Sequence, residues 1–145
     1  MMMESYLPSA NQNNRRVRVL IVDDTPQVRR DLHQFLDLAG DFEVIAEAVD
    51  GQEAVHMATA LTPDVIVMDL EMPGMDGFEA TRLIKAHEPA PWVVILSVHG
   101  GLAEQTARAA GADSFVIKGT DYQILINAIL GKDGSTHSFE EGEKI

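Results

Sequence analysis

The sequence predicts a doubly wound α/β fold, with a five-stranded parallel sheet in the order 2-1-3-4-5 and helices on both faces. Three observations lead there. Apolar, β-branched runs of strand length alternate with stretches of helical periodicity along residues 17–130. The alternation is close, so the strands run parallel and are joined by right-handed crossovers. Four of the runs also stop at a residue able to handle phosphate or a metal ion: 17–22 at Asp23 and Asp24, 65–68 at Asp69, 92–96 at Ser97, and 114–117 at Lys118. Parallel strands bring those ends to one edge, where open α/β sheets bind ligands.

Strand 17–22 opens the domain. Helix 26–39 follows, with Thr25 as N-cap before Pro26 at the first helical position, the apolar stripe Val28, Leu32, Phe35, Leu36 and Ala39, and Gly40 closing it. Strand 43–48 carries Glu43 and Glu47 among apolar residues, the pattern of an edge strand. Helix 51–60 and strand 64–68 come next. Asp76, three residues before Glu79, caps helix 77–87, and the strand 92–96, helix 101–110 and strand 113–117 repeat the rhythm. Asp121 caps a last helix over about 121–130, whose stripe Tyr122, Leu125, Ile126 and Ile129 faces the core while Ile124 and Ala128 lie opposite. Strands 1, 3, 4 and 5 are more continuously apolar than strand 2. The topological switch then falls between strands 1 and 3, the two that end in Asp23, Asp24 and Asp69.

A chain of 145 residues has the size of one domain. Its 46% apolar and 23% charged residues are globular proportions. Residues 1–15 are expected to be a flexible lead-in, 16–131 the folded domain, and 132–145 a flexible acidic tail. The formal charge of −12, from 11 basic and 23 acidic residues, argues against direct DNA binding, which needs cations to displace counterions from phosphates. There is no cysteine, no run of membrane-spanning length and no signal-peptide core, so a cytoplasmic location is expected.

Two carboxylates about 5 Å apart repel by roughly 3 kcal/mol at an effective dielectric near 20. Three together call for a cation or a raised pKa. With only oxygen ligands on offer, Mg²⁺ suits the cluster better than zinc, and Mg²⁺ at one or two carboxylates commonly shares its shell with phosphate. A carboxylate can then attack phosphorus while fixed donors hold the equatorial oxygens, a role open to Ser97 and Lys118. Singly, each residue is more simply a turn former, a helix-end charge or a solvated flank. Their joint placement at four strand ends outweighs that.

Asp23-Asp24, the stretch Asp69-Leu70-Glu71-Met72-Pro73-Gly74-Met75-Asp76-Gly77, Ser97 and Lys118 resemble the receiver domain of bacterial two-component response regulators, over about residues 17–131. The stretch from Leu96 to Lys118, with Gly111-Ala112-Asp113 before the last strand, is most similar to receivers of the nitrate-regulator type. The resemblance implies a flavodoxin-like, CheY-like fold. It implies that Asp69 is the phosphoacceptor, that Asp23, Asp24, Asp69 and the Glu71 backbone carbonyl bind Mg²⁺, that Ser97 contacts and Lys118 pairs with the phosphoryl group, and that Phe115 is the switch aromatic. The partners it implies are a sensor histidine kinase or phosphotransfer protein, an output protein, and a second copy in a phosphorylation-dependent homodimer. Catalysis is then limited to the domain's own phosphotransfer and dephosphorylation. Signalling is expected to leave through helix 101–110, strand 5 and helix 121–130.

The sequence departs from the family pattern at Gly119, where many receivers have proline, at Val98, where a smaller residue is common, and at Phe115, where tyrosine is frequent. Glu71 and His99 stand at positions that vary in the family. Rival readings fit less well. Asp23-Asp24-Thr25-Pro26-Gln27 lacks the glycines that cradle a nucleotide phosphate, and no Asp-x-Asp closes strand 1 as in haloacid-dehalogenase-type hydrolases. A phosphotransfer role for His33, His56, His87 or His99 would suit a helical bundle, which the strands contradict. The residues after the last helix are too few for a helix-turn-helix, so a stand-alone receiver acting through protein contacts is expected. The alternative is the receiver of a DNA-binding transcriptional regulator whose effector domain lies outside this chain.

Overall fold

The structure, a computed structural model, describes residues 15–131. The lead-in before Arg15 and the tail 132–145 lie outside the described residues. The elements run β1 (Val17–Val22), α1 (Pro26–Ala39), β2 (Phe42–Ala48), α2 (Gly51–Leu61), β3 (Val65–Asp69), α3 (Gly77–Lys85), β4 (Trp92–Ser97), α4 (Leu102–Ala109), β5 (Ser114–Ile117) and α5 (Tyr122–Ile129). All neighbouring strands pair in parallel, in the order β2-β1-β3-β4-β5. Every expected element forms and the strand order is the one expected. Differences are confined to ends: α3 stops at Lys85 and α5 begins at Tyr122.

The sheet separates two apolar clusters. Leu20, Val22, Ile66, Met68, Val93 and Ile95 face Ala54 of α2, Ala80 and Ile84 of α3, and Ala107 of α4. Val19, Ile21, Val65, Val67, Val94 and Leu96 face Leu32 and Leu36 of α1 and Leu125 and Ile129 of α5. Burial of both faces explains why β1, β3 and β4 read as continuous apolar runs. Phe35 of α1 and Tyr122 of α5 stack, with centroids 3.9 Å apart, which ties the two helices of one face together. Among the described residues no helix is long and apolar enough to cross a membrane.

Several local expectations change. Thr25 occupies the N-cap of α1 but makes no side-chain cap hydrogen bond, and Pro26 alone marks the helix start. Asp76 and Asp121 do cap, accepting from the N–H groups of Glu79 and Gln123, and Asp50 caps α2 in the same way through Glu53 N–H. Ala39 is exposed. Ala128 is fully buried instead of facing outward, because α5 sinks its last turn against β4, where its carbonyl accepts the Trp92 indole N–H at 2.8 Å. Arg15, assigned to the lead-in, pairs with Asp64 at 2.8 Å. In β2 the register slips by one residue between the partners of Val19 and Leu20, which skips Ile45. Phe42 and Val44 therefore join the α1 side while Ala46 and Ala48 lie on the α2 side. The slip also brings Glu47 to α1, where it meets Arg29 and His33.

Candidate functional site

Asp23 follows directly on β1 and is pinned by two backbone contacts and one through its side chain. Its N–H donates to Ala48 O at 3.1 Å, its carbonyl accepts from Arg29 Nη1 at 2.7 Å, and its Oδ1 accepts from Thr25 N–H at 2.9 Å. The side chain is 1% exposed, whereas neighbouring Asp24 is exposed and makes no hydrogen bond or ion pair to another described residue. Asp69 ends β3, buried at 8% exposure, and Lys118 follows β5. The Lys118 ammonium lies 3.0 Å from Asp69 Oδ1 and 3.4 Å from Asp23 Oδ2. Asp69 Oδ2 accepts no hydrogen bond from a described residue.

Carboxylate oxygens of Asp23, Asp24 and Asp69 lie within 4.8 Å of one another. Ligand oxygens on an octahedral Mg²⁺ with bonds of about 2.1 Å are at most roughly 4.2 Å apart, so oxygens spread over as much as 4.8 Å would have to close in by some tenths of an ångström to share such an ion, a movement open to the exposed Asp24. The charges at the site are unbalanced. Burial pushes the Asp69 carboxyl above its ordinary range, with the Lys118 hydrogen bond opposing and the Asp23 and Asp24 charges adding to the rise. For Lys118, burial by itself would lower the pKa, but the hydrogen bond to Asp69 and the charges of Asp69 and Asp23 outweigh it, so the ammonium is held above its usual range. One fixed cation thus faces an excess of negative charge.

Ser97 ends β4 one residue beyond Leu96, the register partner of Asp69. It is 2% exposed, its Oγ accepts from His99 N–H at 3.0 Å, and its carbonyl accepts from Lys118 N–H at 2.8 Å, tying the ends of β4 and β5 together. Phe115 pairs in register with Ile95, two residues before Ser97 and on the same sheet face, and is half-buried against the α4 side. Glu71 is exposed, with its carboxylate 3.7 Å from His99 Nε2 across the mouth of the site. Gly119 has φ 95°, a conformation closed to proline, whose ring fixes φ near −65°. The wall on the α3 side is tight: Gly77 N–H donates to Leu70 O at 2.9 Å, and a Cβ on Gly77 would stand 2.7 Å from Asp69 O.

Asp23, Asp69 and Lys118 are thus in direct contact, Asp24 lies beside them, and Ser97 lies at the adjoining strand end. His56, His87 and His99 are exposed, as expected of surface residues, and His33 is half-buried against Glu47. Sequence reasoning missed Arg29, whose contacts with Asp23 and Glu47 arise only in the folded chain. Trp92 is the single tryptophan of the sequence. It starts β4, at the opposite end of the strand from Ser97.

Comparisons with known proteins agree with this arrangement. The family model of the response regulator receiver domain matches residues 19–130. The nitrate/nitrite response regulator protein NarP of Escherichia coli (strain K12) is 38% identical over 120 residues, 81% of this chain and 56% of its own length. A protein-glutamate methylesterase/protein-glutamine glutaminase of Carboxydothermus hydrogenoformans is 45% identical over 105 residues, 71% of this chain and 30% of its own length. The chain thus spans less than two thirds of the length of these curated relatives. The signal receiver domain of the response regulator NarL from Mycobacterium tuberculosis superposes with a TM-score of 0.76 at 32% identity, covering 83% of this chain and 98% of that one. The fold, the match over residues 19–130 and the acidic cluster at the sheet edge agree: the chain belongs to the response regulator receiver domain family.

Proposed function

We propose that this receiver takes a phosphoryl group onto Asp69 from the phosphohistidine of a sensor histidine kinase or phosphotransfer protein. The observation that carries the reading is the Lys118 ammonium held against Asp69 Oδ1 while Asp69 Oδ2 accepts no hydrogen bond from a described residue and lies beside two further carboxylates. In the transfer, Asp69 oxygen forms a bond to phosphorus as the phosphorus–nitrogen bond breaks; the electron pair returns to the donor imidazole, which takes up a proton from solvent. Asp23, Asp24, Asp69 and the Glu71 backbone carbonyl would hold Mg²⁺, which supplies positive charge for the phosphoryl oxygens when bound. Lys118 neutralises an oxygen from the β5 side. The buried Ser97 hydroxyl, whose oxygen accepts only from its own loop, keeps its proton for another.

Ser97 and Phe115 share one face of the sheet, which supports a switch in which Ser97 moves toward the phosphoryl group and Phe115 turns into the space it leaves. The chain's own chemistry is confined to gaining and losing this phosphoryl group, in the cytoplasm, and its partners are proteins, not DNA. A longer protein carries the receiver in both relatives, one a response regulator and one a methylesterase, so the switch is compatible with different outputs.

Intact-mass measurement with acetyl phosphate tests the assignment. Wild type gains one phosphoryl group with Mg²⁺ present and none with excess chelator, and Asp69→Ala gains none. Equal labelling of wild type and Asp69→Ala would overturn it.

A further inference from the structure

Asp24 is the exposed member of the acidic cluster, and no described side chain holds it in place. Its direction depends on the peptide that joins it to Asp23. One end of that peptide, the Asp23 carbonyl, accepts from Arg29 Nη1 at 2.7 Å. The same guanidinium donates through Nε to Glu47 Oε1 at 3.0 Å, and its side chain is only 15% exposed. Glu47 is held in turn by His33 Nδ1 at 2.8 Å, and it reaches α1 because β2 slips register at Ile45. Arg29 therefore ties the loop after β1 to the edge strand β2 through a planar, two-sided donor fixed at both ends.

We propose that Arg29 is a positioning residue for the metal site. It fixes the Asp23–Asp24 peptide so that the Asp24 carboxylate is presented to the ion beside Asp23 and Asp69. The inference rests on the Mg²⁺ reading above and adds to it a residue that touches neither ion nor phosphoryl group. Outer partners of this kind orient metal ligands, and losing one typically weakens metal affinity by about ten- to hundredfold. A lysine at this position carries the charge but not the fork, so it cannot span the Asp23 carbonyl and Glu47 together.

The test is Mg²⁺ binding by isothermal titration calorimetry, far below each variant's unfolding temperature, on wild type, Arg29→Met, Arg29→Lys and Val28→Ala. Val28 packs against the core from the same turn of α1 and carries no polar group, and so reports general loosening of the helix. Arg29→Met should bind Mg²⁺ about ten- to hundredfold more weakly. Arg29→Lys should fall between it and wild type, and Val28→Ala should match wild type within about twofold, inside the few-tenths-of-a-kcal/mol scatter of independent sites. Wild-type affinity in both Arg29 variants would overturn the proposal, as would an equal loss in Val28→Ala, which would make the effect one of helix packing. If Arg29→Met does not fold, Arg29→Lys decides alone: wild-type affinity there overturns the role. Failure of wild type itself to bind Mg²⁺ would overturn the metal reading and the proposal together, an outcome distinct from all the others.

Discussion

At the amino ends of β3 and β5, two acids each have their own partners. Asp113 accepts the Lys85 ammonium at 2.7 Å and Val93 N–H at 2.8 Å, while Asp64 accepts Arg15 and the N–H of Arg18. At the carboxyl ends, Asp23, Asp24 and Asp69 gather around Lys118, which bonds two of them. The same sheet thus balances charge at one edge and accumulates it at the other. Balanced charge serves folding, because a half-buried acid with two donors has little left to gain from a ligand. Accumulated charge weakens the empty site and makes binding of a cation favourable.

This contrast can be broken most forcefully at the balanced edge. Asp113→Ala leaves the Val93 N–H without its side-chain acceptor and the Lys85 ammonium with the Pro91 carbonyl but no counter-charge, and should cost about 2 to 3 kcal/mol in urea unfolding. Phosphoryl uptake by the folded fraction should be unchanged. An unaltered urea midpoint would mean the amino edge contributes less than its hydrogen bonds suggest. At the other edge, Mg²⁺ at a hundred times its Kd should raise the unfolding free energy by about 2.7 kcal/mol. Asp24→Asn should lose much of that increment at the same Mg²⁺ concentration, and thermal unfolding of the two proteins with and without metal would show it.

A smaller effect belongs to neither edge. Thr81 is fully buried in α3, and its hydroxyl has no hydrogen-bond partner among the described residues. Thr81→Val removes that unmet group at almost constant shape and should gain about 1 kcal/mol. A loss of stability would show that the hydroxyl is satisfied in solution.

The weakest effect concerns pH. The His33 hydrogen bond holds the Glu47 carboxyl below its ordinary range, against burial and with help from Arg29. The folded form then takes up this proton less readily than the unfolded chain. Its contribution is complete above the ordinary glutamate value and is lost as pH falls through the lowered one. Wild type should therefore exceed Glu47→Gln in stability near neutrality, and the gap should narrow in acid; a gap that is constant with pH would count against the pairing. Asp69 has the opposite sign, since its raised pKa means that acid relieves a strain present at neutral pH in the metal-free protein.

The fold was legible because its signals are local and repeated: β-branched runs, proline at the start of α1, and aspartates before α3 and α5. The strand-end residues were legible because parallel topology carries all such ends to one edge. Arg29 was hidden because its two partners lie 6 and 18 residues away, and the second meets it only through the slip at Ile45. A strict two-residue alternation in β2 gives no warning of a skipped residue, so Glu47 read as an edge-strand charge. The burial of Ala128 was hidden for a related reason, since a small apolar residue fits either side of a helix until its neighbours choose.

The close approach of Gly77 to the Asp69 carbonyl sets limits on how this domain can diverge over generations. A single methyl group there must displace the backbone of Asp69, so a side chain at this position is strongly disfavoured. Across the cleft, Val98 is 58% exposed and His99 and Gly100 are also open to solvent, so replacements cost little. Inheritance can therefore alter how readily the site is entered and left while the seat of Asp69 remains where it is. Descendants of this sequence can vary around the mouth of the site far more freely than at its floor.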